Sequence, residues 1–166
     1  MKIFLAADHG GFALKEHLKG FLGRLGHTVV DVGNSVYDTN DDYPEFIAKA
    51  ALAVSRNPGR TFALVIGGSG QGEAIVANRF PNVRAVVYYG ARKAVGAVDV
   101  SGRKSADPYE ILRLSREHNN ANILSIGARF VKPKEAERAV KIWLTTPFTK
   151  QKRHVRRIMM IEQSRH

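Results

Sequence analysis

The sequence predicts a doubly wound α/β domain. Short apolar runs alternate with stretches of helical periodicity along its 166 residues, the pattern of a parallel sheet covered on both faces. Three of those runs end in Asp-His-Gly-Gly, Gly-Gly-Ser-Gly and Gly-Ala-Arg, the residue types of functional loops at strand ends. No repeat and no linker interrupts the alternation, and the length suits one domain, residues 1–166, with a real core.

The elements follow in order. KIFLAA (2–7) reads as a buried strand running into AADHGG. Phe12, Leu14, Leu18, Phe21, Leu22 and Leu25 recur at near-helical spacing over 11–25, and Gly26 stops that helix. HTVVDVG (27–33) is a second strand and NSVYDTNDD (34–42) a polar loop. Residues 43–56 form a helix that tolerates Pro44 in its first turn. FALVI (62–66) is a third strand, and the glycines after it open a helix near 72–79. RAVVYY (84–89) is a fourth strand, ILRLSREH (111–118) a helix, NILSIG (122–127) a fifth strand and 133–145 a further helix. After the TTPFTK turn comes a basic last helix, about 150–164. In it Arg153 and Arg157 share one face, while Val155, Ile158 and Met159 lie on another that suits packing.

Composition narrows the function classes. With no cysteine, disulfides, thiolate metal sites and thiol catalysis are excluded. No apolar run is long enough to span a bilayer, and MKIFLAADHGG lacks the apolar core of a signal peptide, so a cytoplasmic protein is expected. The formal net charge is +11. Such an excess suits nucleic acid, a membrane surface or small anions. It concentrates in the terminal segment 150–166, with six Lys/Arg and one Glu. Arg92, Lys93, Arg103 and Lys104 form a second group. No nucleic-acid motif accompanies them, and no stacking aromatics flank the arginines.

VIGGSGQGE (65–73) carries the sharpest chemical signal. Bare backbone lets the amides of Gly68, Ser69, Gly70, Gln71 and Gly72 point at an anion, and a helix start favours negative charge there. The stretch lacks the Gly-Lys-Ser/Thr ending of a nucleotide P-loop, and a tight turn would also explain it. Glu73 falls in the first helical turn, where the dipole alone favours it. A carboxylate beside an oxyanion site also suits proton abstraction next to a carbonyl, with Ser69 as donor or relay. Asp8 and His9 either cap a helix or meet a sugar's hydroxyls. His118 and Asn119 end a helix, where dipole and stop preferences suffice unless that end faces the crevice. Arg153 and Arg157 form either a solvated basic face or a fork for a phosphate, with Arg129 as a third cation.

Taken together, AADHGG, DDYP, IGGSGQGEAIVAN, REHNNAN, IGAR and RHVRR resemble the type B ribose-5-phosphate isomerases, in the sugar-phosphate isomerase family that includes galactose-6-phosphate isomerase subunits. These segments extend over nearly the whole chain in the family's order. The resemblance implies a Rossmann-like three-layer α/β/α sandwich with a five-stranded parallel sheet, an extra C-terminal helix and no bound nucleotide. It implies an aldose-ketose isomerase of the pentose phosphate pathway that interconverts D-ribose 5-phosphate and D-ribulose 5-phosphate through an enediolate. Neither cofactor nor metal is implied. The partner is a second copy, in a homodimer with shared active sites, open to further pairing into a tetramer.

Many family members carry a catalytic cysteine where this chain has Gly67. GGSGQGE matches a second branch that uses the glutamate, so the resemblance makes Glu73 the base and Gly68 to Gly72 the anion hole. It makes His118 the ring-opening acid, with Asp8 and His9 as alternatives. Asn119 becomes a substrate contact, Asp8 and His9 sugar or phosphate contacts, and Arg129, Arg153 and Arg157 phosphate anchors. Another phosphorylated sugar, a tetrose 4-phosphate or hexose 6-phosphate, is the nearest rival substrate, and a basic nucleic-acid-binding module is the rival of a different class. One departure from the family is GARKAVGAVDVSGRKSADPY, an insertion at about 90–108. A loop of that length is commonly functional. It is expected to cover the crevice, reach the partner subunit or change substrate choice.

Overall fold

The structure, a computed structural model, describes residues 1–164. Five strands make one sheet: β1 (Lys2–Ala7), β2 (Thr28–Asp31), β3 (Thr61–Gly67), β4 (Ala85–Tyr88) and β5 (Ile123–Gly127). All pairs are parallel, in the order β2-β1-β3-β5-β4. The helices are α1 (Phe12–Arg24), α2 (Tyr43–Arg56), α3 (Gln71–Ala77), α4 (Glu110–Glu117), α5 (Pro133–Thr145) and α6 (Lys152–Gln163). The expected α/β class therefore holds. β2 and β4 are shorter than their apolar runs, because each is an edge strand with a ladder on one side only.

Strand alternation divides the core into two layers. Ile3, Leu5, Leu64, Ile66, Leu124 and Ile126 point to one face, where they pack with Leu18 and Leu22 of α1, Leu112 of α4 and Trp143 of α5. Ala6, Ala63, Val65 and Ile123 point to the other, against Ile47, Ala50 and Val54 of α2 and Ala77 of α3. Small strand residues on that second face let α2 and α3 lie close to the sheet. The basic terminal segment departs from expectation. Its Val155, Met159, Met160 and Ile161 are exposed, and it buries His154 instead. Among the described residues nothing covers the apolar side of α6.

Topology fixes where a ligand can sit. From β1 the chain moves to β2 on one side and then to β3 on the other. The carboxyl ends of β1 and β3 therefore flank a crevice at the point where the winding reverses. Gly11 brings α1 down onto this edge: a Cβ there would lie 2.8 Å from Ile66 Cγ2 and closer still to the Ile66 carbonyl. Only the absence of a side chain permits that approach.

Candidate active site

β3 ends at Gly67, and the next residues turn through Gly70, whose φ of +77° is left-handed. That conformation suits glycine and delivers the chain into α3. Glu73, in the first turn of α3, is only 4 % exposed. Its carboxylate folds back over Gly67, into the volume that a side chain at 67 would fill. Burial, with Asp8 as a neighbouring negative charge, pushes its carboxyl above the ordinary range, and a hydrogen bond from its own amide opposes that only in part. The carboxylate is thus desolvated and a stronger base than one in water.

The glycine turn is held from several sides. Ser125 Oγ donates to the Gly70 carbonyl at 2.6 Å. A Cβ on Gly68 would lie 3.1 Å from the Arg129 guanidinium carbon, and one on Gly72 would lie 2.7 Å from the Tyr43 hydroxyl. Ser69 Oγ accepts the Gln71 amide at 3.3 Å, which leaves its proton free to donate. Arg129 accordingly sits against the turn, and its amide donates to the Gly68 carbonyl at 3.1 Å.

The end of β1 meets this turn: a Cβ on Gly10 would lie 3.1 Å from the Gly68 nitrogen. Asp8 is buried, and its Oδ1 accepts the Gly11 amide at 3.2 Å. His9 is fixed by Asp41 Oδ1, which accepts its backbone amide at 2.9 Å and pairs with ring Nδ1 at 2.7 Å. The other Asp41 oxygen accepts from Asn34 Nδ2. The Asp41 carboxylate holds the His9 ring above its ordinary pKa. With Nδ1 engaged, Nε2 remains to meet a ligand. Asp8, His9 and Asp41 also place one ligand atom each within 4.8 Å of one another, the geometry of a metal cluster. Here two of those atoms are already bonded to each other, so the group acts first as a hydrogen-bonded clamp.

A second group of the predicted residues lies elsewhere. Because β4 and β5 are parallel, α4 must return from the carboxyl edge of the sheet to the amino edge. His118 caps its far end, just before β5 begins. β5 has five residues, so roughly 16 Å of strand separates that edge from the glycine turn. At the amino edge the His118 ring stacks on His154, with centroids 4.3 Å apart and planes inclined by 11°. His154 is 3 % exposed. Burial pushes its pKa down, and the His118, Arg153 and Arg157 charges add to that. Arg153 donates to His154 Nε2 at 3.2 Å. Among the described residues no carboxylate pairs with Arg129, Arg153 or Arg157. Asn119 is exposed beside His118.

One chain therefore gathers Asp8, His9, the 68–72 turn, Glu73 and Arg129, and gathers His118, Arg153 and Arg157 separately. AADHGG, IGGSGQGE and IGAR meet at one crevice, and His118, Arg153 and Arg157 lie apart from it within one chain. A cavity of about 280 Å³ lies over His118, Arg153, His154 and Arg157. A larger cavity, about 640 Å³, is elsewhere, between the end of β4, the insertion and α4. It is mainly apolar and touches none of the predicted site residues, so the clusters of chemistry locate the site better than volume does. Sequence reasoning passed over Asp41, Asn34, Tyr43 and His154. The first and third lie in DDYP and the last in RHVRR, but only the folded chain shows what they touch.

A family model described as Ribose/Galactose Isomerase matches residues 3–102 and 105–161. The chain is 36 % identical over 163 residues to a Mycobacterium tuberculosis protein named ribose-5-phosphate isomerase B, covering 98 % of this chain and 89 % of that one. It is 32 % identical to the protein of that name in Escherichia coli, over 99 % of each. Among solved structures, ribose-5-phosphate isomerase B from Mycoplasma genitalium with bound ribulose-5-phosphate superposes with a TM-score of 0.84, at 31 % identity over 98 % of this chain and 94 % of that one. The Clostridium thermocellum enzyme gives 0.82 at 35 % identity, over 98 % and 96 %.

Proposed function

The chain belongs to the ribose/galactose isomerase family, and from that premise we propose that it interconverts D-ribose 5-phosphate and D-ribulose 5-phosphate with Glu73 as the base. The observation that carries the assignment is the buried Glu73 carboxylate over Gly67, at the strand end where Asp8, His9 and the glycine turn meet. The sugar ring opens first, by protonation of the ring oxygen, to expose the C1 aldehyde. His118 is the acid for that step. Glu73 then takes the C2 proton. The C–H pair forms the C1–C2 double bond, and the carbonyl pair moves onto O1. Amides of residues 68–72 hold the charged oxygen, which is where fixed donors contribute most. Glu73 returns its proton to C1, and the O2 proton passes to O1, which leaves the ketose carbonyl at C2 and a hydroxyl on C1.

Burial tunes the base. A carboxylate kept out of water has a raised proton affinity, closer to neutral pH, where a general base works best. Arg129 lies beside the glycine turn, and Arg153 and Arg157 form the second cationic group. Binding the distant phosphate orients C1 and C2 against the carboxylate. Since His118, Arg153 and Arg157 sit at the opposite sheet edge from Glu73, a complete site requires two chains. A homodimer in which each protomer lends its amino-edge group to the other's crevice satisfies this. The exposed apolar side of α6 supplies surface for such a contact. The rival substrates and the nucleic-acid reading have no comparable support, and the positive charge is used on a sugar phosphate. No described helix is long and apolar enough to cross a membrane, which accords with cytoplasmic metabolism.

The direct test is turnover of ribose 5-phosphate to ribulose 5-phosphate by the purified protein, with Glu73→Gln as control. Substitution of the base is expected to cut kcat by about 10²–10⁴-fold while the fold is kept. Turnover by the variant at the wild-type rate would remove Glu73 from the mechanism.

A further inference from the structure

The insertion has no helix or strand of its own, yet it is not loosely held. The Val98 amide donates to the Arg103 carbonyl at 2.7 Å. Asp99 accepts the Ser101 amide at 2.9 Å, the Ser101 hydroxyl at 2.6 Å and Arg103 Nε at 3.1 Å. Arg103 Nη2 then donates to Glu110 Oε1 at 2.7 Å, while Ser105 Oγ donates to Oε2 at 2.8 Å. Glu110 is buried at the first residue of α4. The turn is thus braced at the start of α4. Its tip, Ala97 to Val100, reaches the other end, where it lines one side of the open cavity of about 280 Å³ over His118, Arg153, His154 and Arg157.

We propose that the turn 97–100 is the outer wall of the pocket that takes the phosphate end of the substrate, and that Val98 and Val100 limit the length of sugar phosphate accepted. The inference rests on the reading above of Arg153 and Arg157 as phosphate anchors. One side of the pocket is cationic. The facing side carries the apolar side chains of Ala97, Val98 and Val100, the last of them 83 % exposed. The one carboxylate on the turn, Asp99, is bonded within the turn, so its charge holds the loop's shape rather than neutralising the arginines. A cavity of this size lies at the small end of ligand sites, roughly 300–1,000 Å³. It accommodates a phosphate and the carbons next to it. A further CH(OH) unit would press a hydroxyl against apolar side chains that offer it no hydrogen bond, at the cost of its bonds to water.

The test compares kcat/KM for ribose 5-phosphate and for a hexose 6-phosphate in four proteins: wild type, Val98→Gly/Val100→Gly, Arg103→Ala and Val100→Trp. Shaving the wall, or releasing its brace, is expected to raise the hexose-to-pentose ratio about tenfold or more, the scale of discrimination for one carbon in a pocket. Val100→Trp is expected to raise KM for ribose 5-phosphate while changing kcat less. Arg103 lies outside the pocket, so its variant keeps the test sound if the glycine pair unfolds. A ratio that stays at the wild-type value in the shaved and unbraced proteins overturns the proposal, provided Arg157→Ala still raises KM. A wild-type protein that does not turn over ribose 5-phosphate at all defeats the isomerase reading itself, and the wall falls with it.

Discussion

The carboxylate of Glu73 occupies the place of the side chain that Gly67 lacks. A Cβ built on Gly67 would lie 2.9 Å from Glu73 Oε2, with Oε1 and Cδ closer still. Position 67 lies in the buried end of β3 with no positive φ, so the backbone itself would accept any residue. What demands glycine is the carboxylate. Gly67→Ala is therefore expected to push Glu73 out of line and lower kcat about 10²-fold, as misplacing a reacting group by an ångström does. In a Glu73→Ala background the same Gly67→Ala change is expected to add almost nothing, because the group it displaces is gone. Kinetics of the four proteins in this cycle measure the coupling directly. Additive losses would separate Gly67 from the base.

Glu73 is also a cost to the fold. Its carboxyl is raised by burial and by Asp8, so the native state binds its proton more tightly than the unfolded chain does. Stability from this group is then greatest at acid pH. It is lost as pH rises from the unfolded carboxyl value, about 4.3, through the higher folded value. Glu73→Gln removes that loss. The variant is expected to melt above wild type at pH 8, and the difference is expected to shrink toward pH 4. Melting curves of both proteins across this range check the sign. A variant that melts below wild type at pH 8 would contradict a desolvated carboxylate.

The pKa of His9 is also raised, but here it is the charged form that the surroundings favour. Asp41 stabilises its charged form, so its pKa is raised. Asp41→Asn keeps the shape of the acceptor and removes its charge. The His9 imidazole is expected to titrate at lower pH in the variant than in the wild type. Where a charged His9 helps hold the substrate, the alkaline limb of the activity profile is expected to move to lower pH with it. NMR titration of the ring protons reports the first effect independently of turnover. An unchanged midpoint would mean that the bond at Nδ1 does not set the protonation of this ring.

Much of this arrangement was legible in the sequence, for physical reasons that differ by element. Short apolar runs and the glycines that follow them announced β1, β3 and β5 and the three loops that meet at their ends. Glycines 67 to 72 beside Glu73 marked the chemistry. Strand order was hidden, because it depends on which neighbours pack and not on any local pattern. The ends of β2 and β4 were overextended, since apolar residues at a sheet edge continue past the last ladder bond. Asp41 escaped notice because an acidic residue in a polar loop has no periodicity, and its value lies in reaching back 32 residues to His9. Val155, Ile158 and Met159 of α6 had the spacing of a packed face, but among the described residues Val155 and Met159 stay exposed.

That uncovered face and the separation of His118 from Glu73 lead to the last prediction. If each site draws its base from one protomer and its amino-edge group from the other, two defective chains can repair each other. A Glu73→Gln chain retains His118, Arg153 and Arg157. A His118→Ala/Arg157→Ala chain retains Glu73. Each homodimer has two crippled sites. In the mixed dimer one site combines both defects, and the other combines the intact Glu73 of one chain with the intact His118 and Arg157 of its partner. Random assembly of equal amounts makes half of the dimers mixed, each with one good site, so co-expression is expected to recover about a quarter of wild-type activity in a two-fold symmetric dimer. Recovery separates a shared site from one built within a chain, for which the mixture stays as inactive as its components. Activity of the mixture should also fall on dilution below the dimer's dissociation constant, because dissociated protomers hold the base at one sheet edge and the remaining groups at the other.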